Sequence, residues 1–173
     1  MKKRMRRMDG LLDKLPSPLA DTVFLRMFGL MKIPLLGFVR PRIVEINEDS
    51  VEIEIPLSRR TKNHLGSMYF GALAIGADCA AGYLCVRHII TKQLPVTFVF
   101  KDMTARFIKR PDGNVRFFCS QGEEVLRSLT EAMKSGERIN IPMVVTATVP
   151  SVSESEAVAE FTLTLSLKRK KGA

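Results

Sequence analysis

Asn63 to Ile90 reads NHLGSMYFGALAIGADCAAGYLCVRHII, and the fold turns on this stretch. From Met68 to Val86 it is apolar or small on every side apart from Asp78. That pattern predicts a helix that is apolar all round, and such a helix belongs in a core. Gly71, Ala72, Ala74, Gly76, Ala77, Ala80, Ala81 and Gly82 line it with small side chains, so a second layer is expected to approach its axis closely. Lys62 and Arg87 are the nearest charges on either side, which leaves Asp78 a lone carboxylate in mid-helix. A buried carboxylate must be hydrogen-bonded, paired or shifted in pKa. Asp78 is therefore the main functional signal in the chain.

The totals bound the rest. The 173 residues suit one domain with a real core. The net charge of +9 sits at the ends. Lys2, Lys3, Arg4, Arg6 and Arg7 open the chain, and Lys168, Arg169, Lys170 and Lys171 close it. Without those nine, 18 basic residues face 18 acidic ones, so the body is neutral. A nucleic-acid-binding fold would carry its positive stripe on the folded surface, so no specific nucleic-acid partner is expected. Basic ends are commonly just solvated. The sharper reading is a weak contact with anionic membrane.

Cys79, Cys85 and Cys119 cannot all pair within one chain, and they read as small buried hydrophobes in a reducing compartment, hence a cytoplasmic protein. His64 and His88 form no ligand-spaced pattern, so no metal site is expected. The first residues contain Asp9, Asp13, Lys14, Pro16, Pro18 and Asp21, which interrupt any signal-peptide core.

Periodicity supplies the other elements. Leu19 to Met31 reads as an amphipathic helix with Leu19, Val23, Met27, Leu30 and Met31 on the packed face, ended by Pro34. It is expected to cover the domain; the alternative is a membrane-surface helix working with the basic N-terminus. Phe38 to Asn47 and Ser50 to Leu57 read as paired strands, turning at Asn47–Ser50. Val96 to Lys109 is a long strand whose apolar face switches, which predicts a bulge near Lys101–Asp102. Arg110–Asn114 (RPDGN) reads as a hairpin turn into a strand from Val115. Glu123 to Ser135 is a short amphipathic helix stopped by Gly136, and two alternating strands complete the chain. Six strands joined mostly by hairpins around one apolar helix give an α+β protein, a curved antiparallel sheet wrapped on a long central helix.

Asn63, Gly66, Gly71 and Asp78 carry a resemblance. Their spacing resembles the hotdog-fold thioesterases, in the phenylacetate-pathway (PaaI-like) branch and an uncharacterised thioesterase-like branch near it. The family's motif runs Asn-x-x-Gly-x-x-His-Gly-Gly with an acid seven positions beyond the last Gly. The likeness extends from about Phe38 to the end of the chain. The family's His is Tyr69 here, and the first Gly of its pair is Phe70.

The resemblance implies a hotdog domain over 37–167, preceded by a basic tail and covering helix (1–36) and followed by a basic tail (168–173). It implies hydrolysis of an acyl-coenzyme A or acyl-carrier thioester, with coenzyme A only as part of the substrate and no other cofactor. Asp78 would be general base or nucleophile, and Asn63 would position water or the carbonyl. The backbone N–H groups of Phe70 and Gly71, at a helix start, would hold the oxyanion. Tyr69 would donate a hydrogen bond but would not take up a proton at neutral pH. Met68, Tyr69, Phe70 and Leu73 would line the acyl site, while Arg59, Arg60 and Lys62 would meet the phosphates. The acid would act across a homodimer interface, with dimers possible partners in a tetramer. The alternative is a non-catalytic acyl-coenzyme A or lipid-binding hotdog protein. Each residue also has a plainer reading: Asp78 as a structural carboxylate, Asn63 and Gly66 as turn residues, Tyr69 and Phe70 as packing aromatics, and the basic loop as solvated.

Overall fold

In the computed structural model, which describes residues 17–170, the order of elements is set by two periodicities. Helices α1 (Ser17–Lys32) and α2 (Pro34–Val39) come first, then strands β1 (Arg42–Ile46) and β2 (Val51–Ile55). The long helix α3 (Phe70–Thr91) follows, then β3 (Val96–Phe107), β4 (Val115–Cys119), α4 (Gly122–Ser135), β5 (Ile139–Val149) and β6 (Ser153–Arg169). The six strands form one antiparallel sheet in the order β1-β2-β4-β5-β6-β3. Helix α3 packs against β2, β4, β5 and β6. The predicted α+β class and the six strands around a long helix are what the chain adopts.

The small residues of α3 do what their size permits. A Cβ on Gly76 would stand 2.3 Å from the ring of Phe117, which is itself fully buried. Gly82 lies under the rings of Phe98 and Phe100. At Gly76 the missing side chain lets an aromatic ring from the sheet descend onto the helix backbone, while at Gly82 a Cβ would sit at an ordinary 3.6 Å from Phe100. The bulge in β3 also falls where the face switch placed it, between Phe100 and Met103. Asn47 closes the β1–β2 turn, its Oδ1 accepting from the N–H groups of Asp49 and Ser50 at 2.9 and 2.7 Å. Gly136 ends α4 in the left-handed region at φ 71°. All three cysteines are buried and unpaired.

Four expectations are corrected. Arg110–Asn114 is not a hairpin turn, because among the described residues β3 pairs with β6 alone and β4 lies between β2 and β5. Gly113 lacks the positive φ that a tight Asp-Gly hairpin requires, and a Cβ there would lie 2.7 Å from the Val149 and Ser151 side chains, which its absence admits. The segment crosses to the far side of the sheet and is held there as an acceptor: Asn114 Oδ1 accepts from Leu57 N–H and Pro111 O accepts from Met68 N–H, both at 2.9 Å. Second, Phe38 and Val39 are helical, since Pro34 starts a new helix rather than a strand approach. That helix also straddles the boundary drawn at residue 36. Third, β6 runs to Arg169, so Lys168 and Arg169 belong to the sheet and not to a tail. The tail residues 1–16 and 171–173 lie outside the described residues.

The fourth concerns α1. Its packed side is Thr22, Leu25 and Gly29, while Leu19, Leu30 and Met31 are exposed. Polar bonds set this rotation. Thr22 Oγ1 accepts from the N–H of Ile43 at 2.9 Å, and Arg26 Nε donates to Pro41 O at 2.9 Å. Tyr83 on α3 donates to Asp21 at 2.5 Å, with Arg87 3.9 Å from the same carboxylate. Hydrophobic spacing alone did not contain these anchors.

Candidate functional site

The site begins with the loop that delivers α3. Asn63 folds it: its Oδ1 accepts from Leu65 N–H at 2.8 Å and its Nδ2 donates to Ser67 Oγ at 3.1 Å. Gly66 turns at φ 86°, open to a side chain in space but not in conformation. Lys62 bridges Met68 across this loop, and Tyr69 N–H donates to Thr61 O at 2.8 Å. The loop thus fixes where the helix starts. Asn63 holds the loop with its whole amide, which is the turn role; nothing in one protomer aims it at Asp78.

At the helix start, Tyr69 is the N-cap and its carbonyl accepts from Ala72 and Leu73. The N–H groups of Phe70 and Gly71 have no acceptor among the described residues. These two donors at the positive end of a 22-residue helix form a place for a developing negative charge. Above them stand two aromatic rings. Tyr69 and Phe70 are 48% and 59% exposed, with ring centroids 4.7 Å apart. The Tyr69 ring covers Gly71, where a Cβ would lie 2.5 Å from it. Phe70 meets Phe107 at the end of β3 edge-to-face, 6.4 Å between centroids.

Asp78 lies on the same side of the helix. Gly71, Ala74, Ile75 and Asp78 are all half-buried, a stripe of three- and four-residue steps that the sheet leaves partly open. The expectation of cover on every side is corrected here: the sheet wraps one side of α3 and leaves this one. Asp78 has no hydrogen bond or ion pair among the described residues. Burial without a partner pushes its carboxyl pKa up to about 6. Ala74 and Ile75 were not singled out from sequence, though their spacing from Asp78 was there to be read.

Asp78 is seven residues from Gly71, which is about 10 Å along a helix. A base must come within about 3 Å of the atom it serves, or reach it through one water. The acid and the donors thus lie about two helical turns apart on one stripe.

Two assigned lining residues are elsewhere. Met68 and Leu73 are 2% and 3% exposed and belong to the core. Leu73 is five residues from Asp78, so the helical rotation turns it well away from the open stripe. Arg59, Arg60 and Lys62 are exposed beside the loop, and the Arg60 guanidinium lies 5.4 Å above the Phe38 ring. His64 is exposed, whereas His88 is buried, with its pKa lowered chiefly by that burial. Burial likewise pushes the thiols of Cys85 and Cys119 up to about 12, which makes them poor nucleophiles. Among the described residues no three His, Cys, Asp or Glu side chains gather as a metal site. Surface concavities exist away from α3, one of about 500 Å³ between Thr97, Arg138 and Lys168–Lys170.

Several solved structures share this architecture, some of them named as thioesterases. The chain is similar to a Pseudomonas aeruginosa protein of unknown function named a probable thioesterase, at 25% identity and a TM-score of 0.70, covering 90% of this chain and 97% of that one. It superposes on a Chlorobaculum tepidum protein of unknown function at 16% identity and a TM-score of 0.76, covering 88% and 97%. A thioesterase family protein from Silicibacter pomeroyi matches at 16% identity and a TM-score of 0.61, covering 86% and 99%. No curated protein sequence matches this chain. Residues 21–167 match the family described as domain of unknown function DUF4442. With the antiparallel sheet, the long central helix and that match in place, the chain belongs to the DUF4442 family, within the hotdog-fold thioesterase-like superfamily.

Proposed function

We propose that this protein hydrolyses acyl thioesters, with Asp78 activating water or attacking the carbonyl. One observation carries the reading: a half-buried carboxylate without a partner shares an open helix stripe with the two free N–H groups of Phe70 and Gly71. The thioesterase names of its structural relatives support the same chemistry. In a thioester hydrolysis, water adds to the carbonyl as Asp78 takes its proton, the oxyanion rests on the helix N–H groups, and the thiolate leaves with that proton. If Asp78 attacks instead, its carboxylate oxygen bonds to the carbonyl carbon as the C–S bond breaks and the thiolate leaves; water then hydrolyses the resulting anhydride, releasing the acid and restoring Asp78.

The two helical turns between Asp78 and the N–H donors, a rise of about 10 Å along the axis, favour a site shared between two protomers. Strand β3 offers the edge for that assembly: among the described residues it pairs only on its β6 side, and Val99, Met103 and Phe107 are exposed along it. In a two-fold dimer, Asp78 of one protomer would serve the helix start of the other. Arg59 and Lys62, at the mouth of the loop, are the cations we assign to the phosphates of coenzyme A or of an acyl-carrier arm. The buried, unpaired cysteines support a reducing, cytoplasmic setting.

The test is a panel of acyl-coenzyme A esters of different chain length. Wild type should turn over at least one, and Asp78→Ala should lower kcat by about a thousandfold. Unchanged hydrolysis in Asp78→Ala sinks the mechanism.

A second reading has its own observation. The Tyr69 and Phe70 rings stand over the helix start where the family motif has His and Gly. Saturable binding of acyl-coenzyme A with no turnover would make the protein an acyl or lipid binder.

A further inference from the structure

The exposed end of the α1–α2 hairpin is the feature that neither the core nor the candidate site accounts for. Gly29 and Gly37 let the two helices fold back on each other. A Cβ on Gly29 would lie 2.7 Å from the Gly37 nitrogen, and one on Gly37 would lie 2.8 Å from the Leu30 side chain. The chain reverses through Ile33, whose N–H donates to Gly29 O at 2.9 Å, and Pro34 starts the second helix. Leu25, Leu36 and Val39 pin the hairpin to the core. What remains outside is apolar: Leu30 and Met31 are each 68% exposed, Leu35 63%, Phe38 50% and Ile33 43%. Single exposed hydrophobes are ordinary, but five within nine residues at the end of a braced hairpin form a patch.

Charge identifies the occupant. Thr22 to Val44 contains the exposed cations Arg26, Lys32 and Arg40 and no acidic residue; Arg42 also lies there but is paired with Glu54 at 2.8 Å. Arg60 stands beside the tip, its guanidinium 5.4 Å over the Phe38 ring. The chain leading into α1 adds Lys2, Lys3, Arg4, Arg6 and Arg7. An apolar tip flanked by Arg26, Lys32 and Arg40, with Arg60 over its Phe38 ring, matches an anionic lipid surface, where hydrocarbon accepts the side chains and headgroup phosphates meet the cations. We propose that the α1–α2 tip is a wedge that seats this protein on a bilayer bearing anionic phospholipids. Two weak signals, insertion and charge, act together, so binding is reversible.

The experiment is flotation of the full chain with two kinds of vesicle: pure phosphatidylcholine, and phosphatidylcholine with about a quarter phosphatidylglycerol. Wild type should float with the anionic vesicles and fall away from them as salt rises. M31D/L35D should bind them about tenfold or more weakly, with an unchanged thermal midpoint because both side chains are already exposed. Should M31D/L35D fail to fold, M31S/L35S carries the same expectation. The proposal is overturned if wild type floats with neither vesicle, or if the substituted tip floats as wild type does, which would assign the contact to the basic ends. It is also overturned if wild type is a larger assembly whose mass falls in M31D/L35D, since a second copy would then cover the patch.

Discussion

At the scale of single residues, Asp78 carries two separable consequences. Its carboxyl is held at about 6 by burial, above its unfolded value. The folded state therefore binds that proton more tightly, and stability falls as pH rises from about 4 to 6, then levels off. Asp78→Asn removes the burden at neutral pH and should raise stability at pH 7.5 by about 1 kcal/mol, a figure reduced for the side chain's partial exposure. Chemical denaturation at pH 7.5 and pH 4 checks this; an equal gain at both would remove burial as the cause. The same group predicts kinetics of the opposite sense. A base must be ionised, so kcat/KM should climb tenfold per pH unit below about 6 and then flatten. A profile flat from pH 4.5 to 8 would exclude Asp78 as the base. A residue that is destabilising to the fold and required for turnover is the signature expected of a functional group.

At the scale of elements, α3 depends on the size of its glycines. Gly76 faces Phe117 with no room for a methyl, and Phe117 is in turn held by Phe161, 6.5 Å between centroids. Gly76→Ala should cost about 1–3 kcal/mol despite the better helix propensity of Ala. Gly82→Ala is the control, since its nearest neighbour would lie at an ordinary 3.6 Å. That variant should be neutral or slightly stabilising, because there propensity acts unopposed. Thermal melts of the two distinguish close packing from a general intolerance of the helix to substitution. Equal effects at both positions would contradict the contact geometry.

At the scale of the whole molecule, the question is which protomer supplies which half of the site. Phe70 is the first residue of α3, where proline is tolerated, so Phe70→Pro removes one oxyanion donor without breaking the helix. Asp78→Ala and Phe70→Pro should each be nearly inactive alone. Mixed and refolded together, they should recover about one quarter of wild-type activity, because half the dimers are mixed and one site in each is intact. No recovery would place both groups in one protomer's site. The edge of β3 is tested separately: Val99→Lys with Met103→Lys should reduce the solution mass to the 19.4 kDa of one chain. Light scattering after gel filtration reads this directly, and an unchanged dimer would move the interface off β3.

Period and composition alone determined the class of the fold. Alternation in β2, β5 and β6, the apolar run of α3 and the face switch in β3 are local, so they were legible residue by residue. The position of Asp78 relative to the helix start was legible for the same reason, since seven residues on a helix is a fixed rotation and rise. Tertiary structure alone decided what lies opposite what. The Asp-Gly in Arg110–Asn114 looked like a hairpin, yet β3 left for the far edge, because pairing depends on strands distant in sequence. Leu30 and Met31 looked like a packed face, yet bonds from Thr22, Arg26 and Tyr83 to other elements turned them outward. Met68 and Leu73 were drawn into the core by the same long-range packing. The open stripe beside Asp78 exists because a sheet has one concave side to give, and α3 has more faces than that side covers.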